Sequence, residues 1–551
     1  MFRRLVMLLV VFAGLWGTLA SFVIPLYARA APGIPTTACP PPTRPSPAAW
    51  PMFKHDAAHT GLADGVGNFS PSGPNLRWKY KMFDVDATNI ITNFRWTTTF
   101  PLADVDGDGQ LEVIATTPDP IAPNTLKVDG VPIPDRVVVL KDQIGQNPPV
   151  RAMWFYTVTG SLFPGLDTYS PAVADANGDG LPDVIFATKD GHIRALRGCD
   201  GLPLWDYDSH HYIESGPTIA DLDGTGLKVV ITTSCPLDSN GNCLGDGGSL
   251  HVLPITGTGT ITRDWGFEYP YKMDSAVPAI AALDPNNPTQ KQIIAGSWGG
   301  EMIVAWRSIT DSTTVLTRTL VLRTLDATIP ITETPVIRSS PLVYDWGEGP
   351  TAVFGWLATD ERVSEARISA IGLRADLSTG NVSFTPRWIR NDYDVWKSSP
   401  SLLPRAGLDP LIVAGYGTGN DQPGPSGAPS QCFDGSVVGG IVALTRTGAV
   451  EWHHDFNNEG NVRGSPAVGL LGPDDHRDVV LPAGCWGKLH FYDGVTGNEK
   501  WTWQLGGRTQ NSPSIGDIAG DGRLEVVVGS YDGYVWALGG GPQIFLPWMT
   551  R

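Results

Sequence analysis

The chain has 551 residues, of which 64 are glycine, 47 are proline and 42% are hydrophobic, with a formal charge of −17. This much apolar material excludes a disordered chain, and the acidic balance excludes a protein whose main partner is a nucleic acid, since phosphate neutralisation needs clustered Lys and Arg. Abundant Gly and Pro among hydrophobic residues indicate many short strands and turns, and a closed repeat body can absorb this length in one domain.

Residues 1–31 read as a targeting segment, with Arg3-Arg4 at the start, an apolar run from Leu5 to Tyr27 and a small-x-small site at Ala28-Arg29-Ala30. A signal peptide is expected, with an uncleaved N-terminal membrane anchor as the alternative because the run is long enough to span a bilayer. Either way the protein is expected to be secreted or held at the cell surface. Residues 32–51 are Pro-rich and read as an extended linker. Residues 52–541 form the repeats, and 542–551 a C-terminal tail.

Eight times a Pro opens a short apolar run, at Pro101, Pro171, Pro217, Pro278, Pro341, Pro400, Pro466 and Pro513, most of them in Ser-Pro or Gly-Pro pairs. Self-similarity at roughly 45 to 70 residues with Gly-rich turns marks a propeller or solenoid. Within a repeat four strands are predicted, the outermost bearing a Trp: Trp78, Trp154, Trp205, Trp265, Trp388, Trp452 and Trp501, with Thr317 to Leu322 where the Trp is missing. Since the Trp78 strand precedes the first Pro repeat, it is expected to complete the last blade and close the ring, leaving no open edge. The fold class is all-β, an eight-bladed β-propeller of four-stranded antiparallel blades, with seven blades as the alternative. Insertions at 117–135 and 416–434 are the expected partner-contacting loops.

Four repeats continue into acidic loops. Asp104, Asp106, Asp108 and Glu112 fall at positions 1, 3, 5 and 9, with Gly109 at 6 and the backbone carbonyl of Gln110 at 7. Such spacing aims several oxygens at one centre and suits Ca2+. Asp175, Asn177, Asp179, Leu181 and Asp183 repeat the pattern, as do Asp517, Asp521, Arg523 and Glu525, where Ala519 drops one ligand. Two to three Ca2+ sites are expected. The copy at Asp221 and Asp223 loses its later acids, and no metal is expected there. All these loops also read as Asx-rich turns that need no ion.

Six cysteines in an exported chain suggest disulfides: a local Cys235–Cys243 bridge, Cys432 with Cys485, and Cys39 with Cys199 as the remainder. His55-x-x-x-His59 lacks the Glu of a zinc-hydrolase motif, and neither a nucleophile elbow nor a P-loop occurs.

The run from Ser512 to Leu538, with its Asp-rich loop, Val-Val-Val-Gly-Ser strand and Asp-Gly turn, resembles the FG-GAP/VCBS repeats of integrin α heads and exported bacterial proteins. Trp50-Pro-Met-Phe-Lys-His-Asp-Ala-Ala-His-Thr-Gly61 and the Leu-Arg-Trp-Lys-Tyr strand that follows resemble the lead-in of eight-bladed propellers of the quinoprotein-dehydrogenase-like superfamily. The quinone-dependent members carry adjacent cysteines, which this chain lacks, so pyrroloquinoline quinone is not expected. The resemblances imply fold more than function. A non-catalytic scaffold for binding or adhesion to a protein or cell-surface glycan is expected, with a polysaccharide lyase-like enzyme on a Ca2+ propeller as the alternative.

Overall fold

The computed structural model describes residues 39, 48–84, 98–117, 127–128, 131–132, 136–143, 145–158, 170–257, 259–273, 276–330, 332–358, 366–417, 439–456, 462–484 and 487–541. The targeting segment, most of the linker, the C-terminal tail, Cys432 and Cys485, and most of both insertions lie outside the described residues.

Pro lacks an N–H and is tolerated at the start of a strand. Each of the eight repeat prolines immediately precedes an inner strand: Leu102–Ala103, Ala172–Ala174, Thr218–Asp221, Ala279–Ala281, Leu342–Asp345, Ser401–Arg405, Ala467–Leu470 and Ser514–Gly516. They define blades 1 to 8. Blade 1 continues through Glu112–Thr116, Arg136–Asp142 and Val150–Thr157, blade 2 through Asp183–Ala187, His192–Leu196 and Pro203–Asp208, each strand antiparallel to the last. The remaining blades follow suit, and all seven Trp candidates lie in outermost strands, with Val315–Val321 in the position that lacks one. In blade 8 the outermost strand is Asn75–Lys81, paired antiparallel with Tyr534–Gly539. The ring is therefore eight-bladed and closed by a strand from the N-terminal side. Among the described residues the only helical turn is Leu322–Thr324.

Hydrophobic residues alternate to both faces of each sheet, and the core lies between blades. Val139, Trp154, Val184 and Phe186 join blades 1 and 2, Ile294, Trp306, Phe354 and Ile371 join blades 4 and 5, and Trp78, Phe491, Val527 and Leu140 bring together blades 7, 8 and 1. A ring of such interfaces has no weak edge as long as it is shut.

Ser-Pro serines add a polar seam. Ser170, Ser340, Ser399, Ser465 and Ser512 are all buried. Their hydroxyls accept the backbone N–H of Thr99 (2.7 Å), Val277 (2.8 Å), Ser340 (2.9 Å), Ser399 (2.9 Å) and Ser465 (2.8 Å), each in the preceding blade.

The segment before blade closure does more than the sequence suggests. Ala48–Trp50 pairs antiparallel with the inner strand of blade 1, and Leu62–Val66 parallel with that of blade 7. Between them the carbonyls of Pro51, Ala57, Ala58, Thr60 and Gly61 accept the N–H groups of Val173 (2.8 Å), Ile280 (2.7 Å), Val343 (2.9 Å), Leu402 (2.8 Å) and Val468 (2.8 Å). Each donor is two residues past a repeat proline, on the inner edge of its blade. A segment that serves the inner strands of six blades lies at the ring axis, where it satisfies edges that would otherwise be unpaired. The body thus begins by Ala48, ahead of the expected boundary at 52, and Trp50 is buried.

Of the expected disulfides, Cys39–Cys199 and Cys235–Cys243 are formed, with Cα separations of 5.9 and 5.3 Å. The first ties the N-terminal side to the turn between the third and fourth strands of blade 2.

In antiparallel blades the first-to-second and third-to-fourth turns share one face of the ring, and the other connections share the opposite face. The acidic loops all belong to the first set. Both insertions join a second strand to a third, at Thr116 to Arg136 and Gly417 to Gly439, so they depart from the opposite face.

Candidate metal centre

The acidic corners are built on a shared scaffold. In blade 1, Asp104 accepts the N–H groups of Gly107 (2.7 Å) and Asp108 (3.1 Å) on one oxygen and Gly109 (2.8 Å) on the other. Asp175 in blade 2 does the same for Gly178 (2.6 Å), Asp179 (3.2 Å) and Gly180 (2.9 Å). In blade 8, Asp517 accepts from Asp521 (3.1 Å) and Gly522 (2.7 Å). The first acid thus winds the loop by an Asx turn.

The last acid has a structural duty that spacing alone does not reveal. Glu112 accepts Val105 N–H (2.9 Å), Asp183 accepts Ala176 N–H (2.9 Å), Asp478 accepts Leu471 N–H (3.1 Å), and Glu525 accepts Ile518 N–H (3.1 Å). Gln292 does so for Leu283 in blade 4 (2.7 Å). A neutral amide suffices there; in blades 1, 7 and 8 the backbone takes one oxygen of the acid, and in blade 2 it takes both, Gly198 N–H reaching the second oxygen of Asp183.

What faces the second oxygen differs by blade. In blade 1, Asp104, Asp106 and Asp108 each bring an oxygen within 4.8 Å of the others. Val113 pairs with Leu140, which sets Lys141 beside Glu112 across the ladder. The Lys141 Nζ lies 2.6 Å from Asp106, 2.7 Å from Asp108 and 2.8 Å from Glu112. Burial works against this ammonium, but Glu112, Asp106 and Asp108 together hold its pKa above the ordinary lysine value. Burial pushes Glu112 up to about 8, with Asp106 adding to the rise and Lys141 opposing it. The Gln110 side chain leaves the loop to donate to Ile518 O in blade 8 (2.8 Å).

In blade 2, Asn177 donates to Asp179 (3.0 Å), Asp179 accepts Leu181 N–H (2.9 Å), and Asp183 also accepts Gly198 N–H (2.9 Å). No basic side chain among the described residues lies within ion-pair reach of Asp175, Asp179 or Asp183. Asp183 is fully buried, and its carboxyl is pushed up to about 7, first by burial and then by Asp179 and Asp175. In blade 8, Arg523 N–H reaches Asp521 (3.0 Å), and the Arg77 guanidinium stands 4.0 Å from Glu525 while its main partner is Asp142. Burial pushes Glu525 up to about 8, against Arg77.

Blade 3 keeps the Asx turn, with Asp221 accepting Gly224 N–H (2.8 Å), and the expected ligand set is absent from its sequence. The structure adds one group the spacing does not show: Asp474, His476 and Asp493 converge in blade 7, because Asp493 comes from the third strand. There Lys500 bridges Asp474 (2.9 Å) and Asp478 (2.7 Å).

At the axis, Lys54 is buried and its Nζ donates to Pro466 O (2.9 Å), Ser399 O (3.3 Å) and the Ser401 hydroxyl, with burial holding its pKa well below the ordinary value. His59 bonds Pro341 O through Nδ1 (2.9 Å), while His55 Nδ1 lies 3.4 Å from Asp56. The two histidines serve different partners off any helix. Asp56 itself caps Ala58 N–H (3.0 Å) and Thr60 N–H (3.1 Å).

No family model matches the chain, and no curated protein matches it. Similar solved structures include a quinohemoprotein alcohol dehydrogenase from Comamonas testosteroni, 13% identical, covering 92% of this chain and 82% of that one with a TM-score of 0.53. A europium-containing methanol dehydrogenase is 13% identical over 90% of this chain and 98% of that one, with a TM-score of 0.50. BamB from Moraxella catarrhalis, 13% identical, covers 87% of this chain and 100% of that one with a TM-score of 0.43. The likeness is one of fold. The eight-bladed ring shares its fold with these two dehydrogenases, and its chemistry has to be argued from its own residues.

Proposed function

We propose that this protein is an exported, non-catalytic binding scaffold whose propeller of FG-GAP/VCBS-like repeats is stabilised by Ca2+ and presents loops to a protein or a cell-surface glycan. The observation that carries the metal part is Asp183, a fully buried carboxyl that burial, Asp179 and Asp175 push up to about 7, while Arg197, the basic side chain near enough to act on Asp179 and Asp183, is paired with Asp200. Clustered carboxylates repel one another, and a hard divalent cation held by Asp175, Asn177, Asp179, the Leu181 carbonyl and Asp183 relieves that repulsion. The blade 8 corner, with Asp517, Asp521, the Arg523 carbonyl and Glu525, offers fewer oxygens and takes Ca2+ more weakly.

The scaffold reading draws on the axis. A lyase needs a base and a charge neutraliser facing a groove. Of the basic groups of the axial segment, Lys54 and His59 are buried and bonded to inner strands, and the half-buried His55 lies against Asp56. A quinone finds no fit here either, because Ala48–Val66 lines the inner edges and the chain has no adjacent cysteines. The insertions at 117–135 and 416–434 leave from one face and are the proposed contact surface.

The test is a glycan array and a pull-down with the secreted body, each with and without Ca2+, beside melting curves before and after chelation. Ligand capture together with a melting temperature that rises with Ca2+ is the expected result. Melting indifferent to chelation would remove the calcium part, and release of unsaturated uronides from polysaccharide would replace the scaffold by a lyase.

A further inference from the structure

Two corners carry the complete spacing of oxygens, Asp104 to Glu112 and Asp175 to Asp183, and they differ in what stands at their centre. In blade 1 the Lys141 ammonium touches the carboxylates at loop positions 3, 5 and 9 at 2.6 to 2.8 Å. It stands where those oxygens converge, so a metal ion and this lysine compete for one place.

The same ladder position exists in blade 2. Val184 pairs with Leu196, which places Arg197 beside Asp183 just as Val113 and Leu140 place Lys141 beside Glu112. Arg197 nevertheless does not reach the corner. Its Nε donates to Asp200 (2.9 Å) and its Nη2 to the other oxygen of the same carboxylate, a two-pronged pair that turns the guanidinium outward. Asp183 receives Gly198 N–H instead (2.9 Å). Three residues beyond Lys141 the chain has Ile144 where Asp200 follows Arg197, so blade 1 has no acid at that sequence position.

We propose that the basic residue ending the third strand decides which corners take Ca2+: Lys141 is a tethered cation that keeps the blade 1 corner free of metal, and Asp200 holds Arg197 away so that the blade 2 corner stays open to it. The proposal rests on the calcium reading of these loops. A divalent ion entering blade 1 would meet an ammonium at the centre of its own ligand set, whereas in blade 2 the corresponding charge is already paired.

Calorimetric Ca2+ titration of the full chain tests this. Lys141→Met gains one Ca2+ per chain, and Asp200→Asn weakens the blade 2 site at least about tenfold without altering a ligand. Asp108→Asn, which needs no rearrangement of Lys141, leaves the wild-type stoichiometry unchanged. A folded Lys141→Met that binds no extra Ca2+, or loss of a Ca2+ on Asp108→Asn, overturns the proposal. Asp179→Asn reports separately on the underlying reading: if it costs no Ca2+, blade 2 is not a calcium site, whatever Lys141→Met does.

Discussion

The indole of Trp154, on the outermost strand of blade 1, closes over Gly201 at the head of the outermost strand of blade 2. Its Nε1 donates to Gly198 O (2.7 Å), and a Cβ at Gly201 would lie 2.6 Å from the ring. Trp388 closes over Gly448 and Trp452 over Gly497 in the same way, and Trp388 also donates across, to Arg446 O (2.9 Å). The Gly-x-x-x-Trp spacing of the repeats therefore has a mechanical meaning: the glycine receives the preceding blade's Trp, and the Trp four residues on reaches for the next blade.

Gly201→Ala should loosen the blade 1–2 interface. Its φ is +73°, and Gly407 has a φ of +71° with open space around it. Gly407→Ala carries only the left-handed backbone strain, about 1 kcal/mol, while Gly201→Ala adds the displacement of Trp154, about 2 kcal/mol more. Denaturant midpoints of the two variants against wild type measure the difference, and equal shifts would mean the indole yields without cost.

The serine seam makes a second prediction. Ser399 accepts Ser340 N–H and donates its own N–H to Ser465. Ser399→Ala leaves a buried amide without its acceptor, costing about 1–3 kcal/mol, while the exposed-side hydroxyl pair of Ser70 and Ser72 (2.7 Å) can be lost in Ser70→Ala for a few tenths. Hydrogen exchange at Ser340 in Ser399→Ala should accelerate by the corresponding factor.

What the sequence made legible was local. Eight prolines marked eight inner strands, because a residue without an N–H belongs where a strand begins, and the Trp spacing marked the outer ones. The closing strand at Trp78 followed from order alone. The axial segment was not legible, since the carbonyls of Pro51 to Gly61 find their donors between Val173 and Val468, far along the chain. Lys141 was equally hidden: it lies 29 residues beyond Glu112, and only the register of the second and third strands sets them side by side. Spacing singled out the loop acids, but not that the last one serves the backbone.

Without metal, Asp183 should make the protein weaker as pH rises. Its folded-state pKa of about 7 exceeds the ordinary 3.8. A carboxyl raised in this way contributes stability that is full below the unfolded value and is lost as pH climbs through the folded one. The window is therefore about pH 4 to 7, worth about 4 kcal/mol before allowance for solvent. Asp183→Asn, which keeps an acceptor for Ala176 N–H and gives up the one for Gly198 N–H, should flatten that slope in EDTA and remove the blade 2 share of the stabilisation by Ca2+. Denaturant titrations at pH 5 and 8, with and without Ca2+, check both; a slope that survives Asp183→Asn would place its origin elsewhere.

His59 acts at the opposite end of the scale. Burial lowers its pKa from 6.5 to about 4, against the pull of Asp56 and the bond to Pro341 O. A histidine lowered in this way contributes stability that is present above the unfolded value and is lost as pH falls through the folded one. Between about pH 6.5 and 4 the fold should lose about 3 kcal/mol as the unfolded chain takes up the proton that the axis refuses. Because Phe53 packs edge-on to this ring at 5.7 Å, His59→Phe keeps the aromatic contact while removing the titration, at the cost of the bond to Pro341 O. The variant should be weaker than wild type at pH 7 yet lose less between pH 6.5 and 4, so that the two stability curves converge on acidification. Parallel curves would show that the axial segment leaves the ring before His59 is protonated.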